Sequence, residues 1–461
     1  MKFSLSSRML SRVAACLLGV LAFTSQIQAQ TTIALRGARV IDGAGGAPLD
    51  NSVILISNGR ILSVGPAAAV RIPREAEIID YSGKTILPGL ISNHSHVGIV
   101  DGISVDAKNY SRSNILRQLR QYEAYGVTTV TALGLNGEEF VSIRSELHEG
   151  RAPGADLFGA IGGIGVPRGA PPESMLPVGR DQLTRPDNAE EARTAVRAMV
   201  GQGTDIVKLW LDDFRGTVPV KMQPEIYQAV IEEAHANGVR VAAHIHDLAD
   251  AKRIVEAGAD IVAHGVRNAP VDAEFIELMK QRDAWYIPTI ALDEAAYIYG
   301  DSPAWVQLPF FQKALQPPLR AQLEDADWRE KNRTAPAAAK SRSAVRMNQR
   351  NLKTLYDAGV RIGFGTDSGA TAVRIPGLAE HRELALLVQA GLTPLQAIEL
   401  ATNRAAALLK LEDRGAIAPG KLADFLVLDA DPSNDISRTM TIRAVWHRGK
   451  RVANTIAQFR P

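Results

Sequence analysis

Cysteine is almost missing: Cys16 is the only one in 461 residues, and it sits in a segment that reads as an export leader. Lys2, Arg8 and Arg12 make a basic start, 13–23 is apolar, and Ile27-Gln28-Ala29 offers a cleavage site before Gln30. Together these predict a signal peptide over 1–29 and a periplasmic or secreted product. Cleavage would leave no thiol, which excludes disulfides and cysteine metal ligands. Val13-Ala14-Ala15-Cys16 mimics a lipoprotein box, but the apolar stretch follows the cysteine instead of preceding it, so lipidation is not expected. That stretch is also shorter than the roughly 20 apolar residues of a membrane span. A surplus of charge is missing too: 52 Lys and Arg face 50 Asp and Glu, and loss of the leader reduces the 52 to 49. Neither nucleic acid nor an anionic membrane surface is an expected partner.

What is present is apolar and periodic. Hydrophobic residues make up 46% of the chain, and the 432 residues after Ala29 suffice for a large core with a second, smaller domain. Eight short runs rich in Val and Ile, at 89–92, 127–134, 156–163, 204–210, 239–246, 259–265, 284–291 and 361–368, are continuous rather than alternating, as strands covered on both faces are. Helical stretches lie between most of them, over 111–125, 138–148, 189–200, 224–236, 249–256, 273–282 and 344–358. Asp187 with Glu190, and Thr393-Pro394 with Gln396, read as capping boxes. Strands alternating with helices eight times over predict an α/β fold, a parallel (β/α)8 TIM barrel. The flanks 30–86 and 414–461 carry short strands and turns, Asn58-Gly59 being a strong hairpin signal. They are expected to pair as a small composite β-sandwich beside a barrel over 87–413. The insertion 293–340 is too long for a simple connection and reads as a helical cover over the site mouth, or as surface decoration.

Six side chains able to hold a metal end five of these runs. They are His94 and His96 in Leu87-Pro88-Gly89-Leu90-Ile91-Ser92-Asn93-His94-Ser95-His96, Lys208 in Asp205-Ile206-Val207-Lys208-Leu209-Trp210, and His244 in Val241-Ala242-Ala243-His244-Ile245-His246. His264 in Ile261-Val262-Ala263-His264-Gly265 and Asp367 in Gly363-Phe364-Gly365-Thr366-Asp367-Ser368-Gly369 complete the set. Residues i and i+2 of a strand share a face, so His94 and His96 can turn both imidazoles to one ion. His246 points the same way as His244 and is an alternative ligand. Barrel enzymes build their sites at the carboxyl ends of strands, at or near which all six fall. Lys208 is the odd member, because a free ammonium repels cations and is costly to bury unpaired. Carboxylation by carbon dioxide would make it an anionic oxygen ligand able to bridge two ions. The alternative is an unmodified amine paired with Asp212 or Asp213.

With the Leu87-Pro88-Gly89-Leu90 lead, Gly365-Thr366-Asp367 and the closing Gly415-Ala416-Ile417-Ala418-Pro419-Gly420-Lys421-Leu422-Ala423-Asp424, the chain resembles the amidohydrolase superfamily over nearly its whole mature length. The branch is the one similar to imidazolonepropionases and metal-dependent dipeptidases. The resemblance implies a distorted (β/α)8 barrel with a composite β-sandwich, and hydrolysis by a metal-bound hydroxide. By position it makes His94, His96 and Asp367 ligands of one divalent ion and His244 and His264 ligands of a second, with carboxylated Lys208 between them. Asp367 would double as proton acceptor. A metal lowers the pKa of bound water to about 7 in a favourable site and polarises the scissile carbonyl, and Asp367 can pass the proton to the leaving group. Zinc is the default among the metals these ligands suit.

Some positions depart from the pattern of the resembling proteins. Ser92 stands where they usually carry aspartate, Ala263 where glutamate is common, and His246-Asp247 replaces the usual tail of the fifth strand. None removes a ligand; each touches groups that orient one. Trp210, Asp212, Asp213, Arg374 and His381 fall where loops could touch a substrate, and Arg374 could grip a carboxylate such as a dipeptide C-terminus. The expected function is hydrolysis of a C–N bond in a small substrate such as a dipeptide or an N-acyl amino acid. The alternatives are a one-metal cyclic amide hydrolase of imidazolone type, a lactone or organophosphate ester hydrolase, and a metal-loaded binding protein without turnover. Oligomeric state is left open, a homo-oligomer included.

Overall fold

The computed structural model describes residues 32–453 and 455–456; the leader expected over 1–29 lies outside the described residues. Leu90–Ser95, Val127–Asn136 and Asp156–Ile161 form one parallel sheet. Ile206–Trp210, Arg240–His244, Ile261–Val262, Trp285–Tyr286 and Arg361–Ile362 form a second, paired in chain order. Isolated parallel bridges, Ile164 with Leu209 and Ser95 with Ser368, link the two sheets. Every residue of Val127–Asn136 and of Ile206–Trp210 is buried, which is why alternation is missing from these segments. Helices stand at the expected places, among them Arg112–Ala124, Pro224–Ala236 and Leu248–Glu256. The helix expected at 344–358 is longer, spanning Pro336–Asp357 with proline in its first turn, where its missing N–H costs nothing.

Three expectations are corrected. The seventh run, 284–291, is strand only at Trp285–Tyr286 and turns into the short helix Ile290–Glu294. The buried carboxylate of Glu383 accepts from the N–H groups of Ile290 (2.9 Å) and Ala291 (2.6 Å), satisfying donors at the helix start that a strand would have given to a neighbour. The eighth run is regular strand only at Arg361–Ile362, yet its backbone pairing continues: Asn93 N–H donates to Phe364 O at 2.6 Å, Asp367 N–H to His94 O at 2.9 Å and His96 N–H to Ser368 O at 2.7 Å. Gly365 permits this approach, since a Cβ there would stand 2.7 Å from the Cβ of His94. The first capping box is shifted by one residue. Asn188, not Asp187, caps Ala189–Gly201 by accepting from Glu191 N–H; Thr393 and Gln396 form theirs as expected.

The two flanks share one eight-stranded sheet. Phe425–Leu428 pairs antiparallel with Thr85–Pro88, which runs beside Ile33–Val40. Asn58 and Gly59, at φ 53° and 74°, make the tight turn between Leu49–Ser57 and Arg60–Pro66, as a two-residue hairpin requires. Leu35, Ile54, Phe425 and Trp446 belong to one apolar cluster and Ala34, Val53 and Leu55 to another, the alternation of faces along a strand. Buried ion pairs tie this sheet to the parallel strands: Asp156 holds Arg414 Nη1 at 2.6 Å and Arg448 Nη2 at 2.7 Å. The 293–340 stretch is helical, with Pro317–Glu324 and Ala326–Thr334 its longer pieces. Ala296, Ala337 and Lys340 bring it to the mouth of a cavity shared with His94 and Asp367.

Candidate active site

All six candidate ligands line one cavity of about 400 Å³: His94, His96, Lys208, His244, His264 and Asp367. The His264 ring centroid is 4.5 Å from that of His94 and 4.4 Å from that of His244. Asp367 Oδ1 lies 2.9 Å from His96 Nε2 and 3.3 Å from His94 Nε2. Ligating atoms of His94, His264 and Asp367 all fall within 4.8 Å of one another, close enough to share an ion.

The backbone and one hydroxyl aim the rings. Nδ1 of His94 is 2.6 Å from Ala263 O, Nδ1 of His96 is 3.2 Å from Gly134 O, and Nδ1 of His264 is 2.9 Å from Thr289 Oγ1. A neutral imidazole whose Nδ1–H is donated in this way presents its Nε2 lone pair to the cavity. Burial opposes the charged form of His94, His244 and His264. Burial and then Lys208 push the pKa of His94 down to about 3. Burial and the neighbouring His244 and His94 hold His264 well below its ordinary value, and burial lowers His244 despite the pull of Asp212. Asp367 is buried, which opposes its charge, but Arg374 and the adjacent imidazoles keep it well below the usual carboxylate range.

Lys208 is 0% exposed, and its Nζ has no hydrogen-bond partner among the described residues. Burial lowers its pKa to about 7 against the opposing charges of Asp367 and Asp212. The amine pairing considered from sequence does not form: Asp212 Oδ1 accepts from Phe214 N–H at 3.2 Å and lies 3.5 Å from His244 Nε2, while Asp213 faces Lys221 at 3.8 Å. Between the two candidates of the fifth strand, His244 packs on His264 and is stacked by Phe214, centroids 4.7 Å apart. His246 lines the cavity with Nδ1 bonded to Asp247 Oδ1 at 2.6 Å.

Around these groups lie residues that sequence reasoning did not single out. Asp367 sits at φ 59°, flanked by Thr366 and Ser368, whose hydroxyls both donate to buried Glu380 Oε1, at 2.7 and 2.8 Å. Ser92, which stands where the resembling proteins usually carry aspartate, donates to the same oxygen at 3.2 Å. Glu380 and Glu383 share the buried face of the apolar helix Leu378–Gln389; two acids three apart in such a segment were the available signal. His381, on that helix, is buried away from the cavity, with its ring nitrogens 2.9 Å from Tyr125 O and 3.0 Å from Thr439 Oγ1. It is not a substrate-contact residue. Arg374 lines the cavity but is ion-paired with Asp367 Oδ2, and Trp210 lines it while packing among Leu135, Leu176 and Leu183.

A parallel α/β scaffold whose strand ends gather four imidazoles, a buried lysine and an aspartate is the arrangement of a metal-assisted hydrolase. Residues 85–452 match the amidohydrolase family; the chain belongs to that family, whose members act as hydrolases on carbon–nitrogen bonds, and it is such an enzyme. Ochratoxinase from Aspergillus niger is 25% identical over 462 aligned positions, covering 93% of this chain and 87% of that protein. A Bifidobacterium longum protein assigned as a prolidase superposes with a TM-score of 0.71 at 26% identity, covering 92% and 95% of the two chains. A Xaa-Pro dipeptidase with bound methionine superposes at 0.74 with 23% identity, over 92% of this chain and all (100%) of that one, a likeness of fold. The common architecture is TIM-barrel-like, with mixed α and β content.

Proposed function

We propose that the protein is a binuclear metal-dependent hydrolase that cleaves the amide bond of a dipeptide or an N-acyl amino acid. The observation that carries this reading is the convergence of His94, His96, Lys208, His244, His264 and Asp367 on one cavity. The donor set fits cations. His94 Nε2 and Lys208 Nζ are buried without hydrogen-bond partners among the described residues, a costly condition unless something binds them. His94, His96 and Asp367 would hold one ion, His244 and His264 the other, and Lys208, carboxylated, both; zinc is the default occupant. When bound, the ions supply a water of lowered pKa and a polarised carbonyl.

The chain's own groups supply the rest. Burial lowers the pKa of Lys208 to about 7, so its neutral amine form is accessible, and that form can add carbon dioxide and release one proton to become an anion. Asp367, ionised at the outset, accepts the proton of the attacking water and delivers it to the departing nitrogen. Arg374 holds Oδ2 of Asp367, which leaves Oδ1 toward His94 and His96. We read the linked parallel sheets as a distorted (β/α)8 barrel over 87–413, with a composite β-sandwich from 30–86 and 414–461 and the 293–340 insertion as cover. A 1–29 leader would send the enzyme to the periplasm or outside the cell.

The test is metal analysis of purified protein beside a screen of dipeptides and N-acyl amino acids. Two equivalents of metal and turnover of one of these classes support the reading; activity that survives chelation with less than one equivalent ends it. Asp367→Asn should abolish hydrolysis and leave ligand binding largely intact, which separates an enzyme from a binding protein. A second reading, a one-ion cyclic amide hydrolase, is favoured by the tight grouping of His94, His264 and Asp367. It predicts one equivalent and tolerance of Lys208→Ala.

A further inference from the structure

One wall of the cavity carries a cation that the chemistry above leaves unused. Arg267, three residues beyond His264, lines the cavity and is only 6% exposed. Its Nη2 donates to Ile245 O at 3.3 Å, but Nε and Nη1 have no hydrogen-bond partner among the described residues. Nε is 3.5 Å from Asp293 Oδ2, an ion pair without hydrogen-bond alignment, and the other oxygen of Asp293 is taken by Arg215 Nη2 at 2.6 Å. Two guanidinium groups therefore face the Asp293 carboxylate, and Asp212 also acts on Arg267 electrostatically, but neither of these acids takes up the Nε and Nη1 donors in a hydrogen bond. The bond to the carbonyl of Ile245, which lies between His244 and His246 in the chain, sets the guanidinium beside the fifth-strand imidazoles.

Buried N–H donors left unpaired cost free energy, more so on a charged group. A wall that keeps such donors free inside a substrate cavity is suited to an anionic acceptor that arrives with the substrate. Arg374, the residue the sequence suggested for this task, is already engaged by Asp367. Resting on the hydrolase reading above, we propose that Arg267 binds a free carboxylate of the substrate, so that the preferred substrates are N-acylated amino acids with a free acid group rather than their neutral amides. Ile245 O and Asp293 hold the guanidinium in place, and the exposed Lys340 at the mouth adds to the positive field that draws in an acid.

The experiment compares acetate release from a panel of N-acetyl amino acids with release from the matching N-acetyl amino acid amides, in wild type, Arg267→Met, Arg267→Lys and Arg374→Met. Wild type is expected to favour the acids by about 10- to 100-fold in kcat/KM, and Arg267→Met to shrink that preference to about threefold or less, the size of effect of losing hydrogen bonds to a charged group. Arg267→Lys should keep part of the preference, and Arg374→Met should depress both substrate types and leave their ratio as in wild type. Thermal melts show whether Arg267→Met is folded; if it is not, the ratio in Arg267→Lys decides. Equal turnover of acids and amides by wild type, or an undiminished preference in the folded Arg267 variants, overturns the proposal while leaving the hydrolase reading standing. If wild type cleaves neither type, the hydrolase reading fails for these substrates. Equilibrium dialysis of the N-acetyl amino acids then decides for Arg267: weaker binding to Arg267→Met supports its role, and equal binding ends it.

Discussion

Thr289 Oγ1 stands 2.9 Å from His264 Nδ1, and Thr289 itself is held in the left-handed region at φ 46°. A β-branched residue seldom adopts that conformation, and strain of about 1–3 kcal/mol persists only where the surroundings enforce it. Here Glu383 enforces it by capturing the N–H groups of Ile290 and Ala291, the next two residues of the chain. A buried carboxylate thus sets the ring of a candidate metal ligand through a single hydroxyl.

From this chain of contacts, Thr289→Ala should lower metal affinity by about 10- to 100-fold, the usual effect of losing a group that orients a ligand, while Thr289→Ser should retain most of it. Competition with a chromophoric chelator measures both. Equal affinity in wild type and Thr289→Ala would show that the hydroxyl does not orient the ring.

Lys208 gives a direct chemical prediction. Protein equilibrated with isotope-labelled carbon dioxide should show one carbamate carbonyl resonance by NMR, absent from Lys208→Met, and the variant should retain at most one ion and lose hydrolysis by about 100-fold or more. One equivalent of metal in both wild type and Lys208→Met, with activity kept in the variant, would favour the one-ion reading instead.

His244 and His246 are separated by one residue and differ in surroundings. His244→Ala should release an ion and reduce kcat by about 100-fold or more. His246→Ala, which removes a ring already bonded to Asp247, should keep the metal content of wild type. The reverse outcome would move the fifth-strand ligand to His246.

Far from the cavity, Asp156 is the keystone between the parallel strands and the C-terminal flank. It is 0% exposed and paired with Arg414 and Arg448, with His447 Nε2 at 3.7 Å. Asp156→Asn removes the buried charge that faces Arg414, Arg448 and His447, leaving Arg414 paired with Asp413, and should cost about 3 kcal/mol of stability, read from urea unfolding.

The same cluster predicts a pH dependence. Burial opposes the charge of His447, but Asp156, Glu123 and Asp424 outweigh it and raise its pKa to about 10. A raised folded-state value means that the stabilisation is complete below the unfolded-state pKa, about 6.5, and is lost as pH climbs from there through 10. Asp156 is shifted the opposite way, burial opposing its charge but His447, Arg414 and Arg448 prevailing, so its contribution is present above about pH 4 and falls away in acid. The Tm difference between wild type and His447→Gln should therefore be largest near pH 5–6 and narrow toward pH 10; a difference that widens with alkalinity would contradict this ion-pair account.

The order of strands and helices, the hairpin at Asn58-Gly59 and the six candidate ligands that line one cavity were legible in the amino-acid sequence, because each is written in local pattern. Period and continuity of apolar residues report which faces are covered, and His94 and His96 share a face by spacing alone. Where the pattern misled, at 284–291, a carboxylate from 92 residues farther along had captured the backbone donors, and no local period records that.

Only the tertiary structure decided which groups hold the ligands in place and what each charge does. The Ser92–Glu380 contact spans 288 positions, the His94 ring rests on a carbonyl 169 positions away, and His381, which the sequence placed where a loop could touch a substrate, lies on a helix and is buried against Tyr125. Lys208 without a hydrogen-bonding acid and Arg267 with donors to spare are likewise facts of packing. Hydrogen bonds and ion pairs depend on ångström-scale distances between elements that only the folded chain brings together, whereas the tendency to form those elements is carried residue by residue along the sequence.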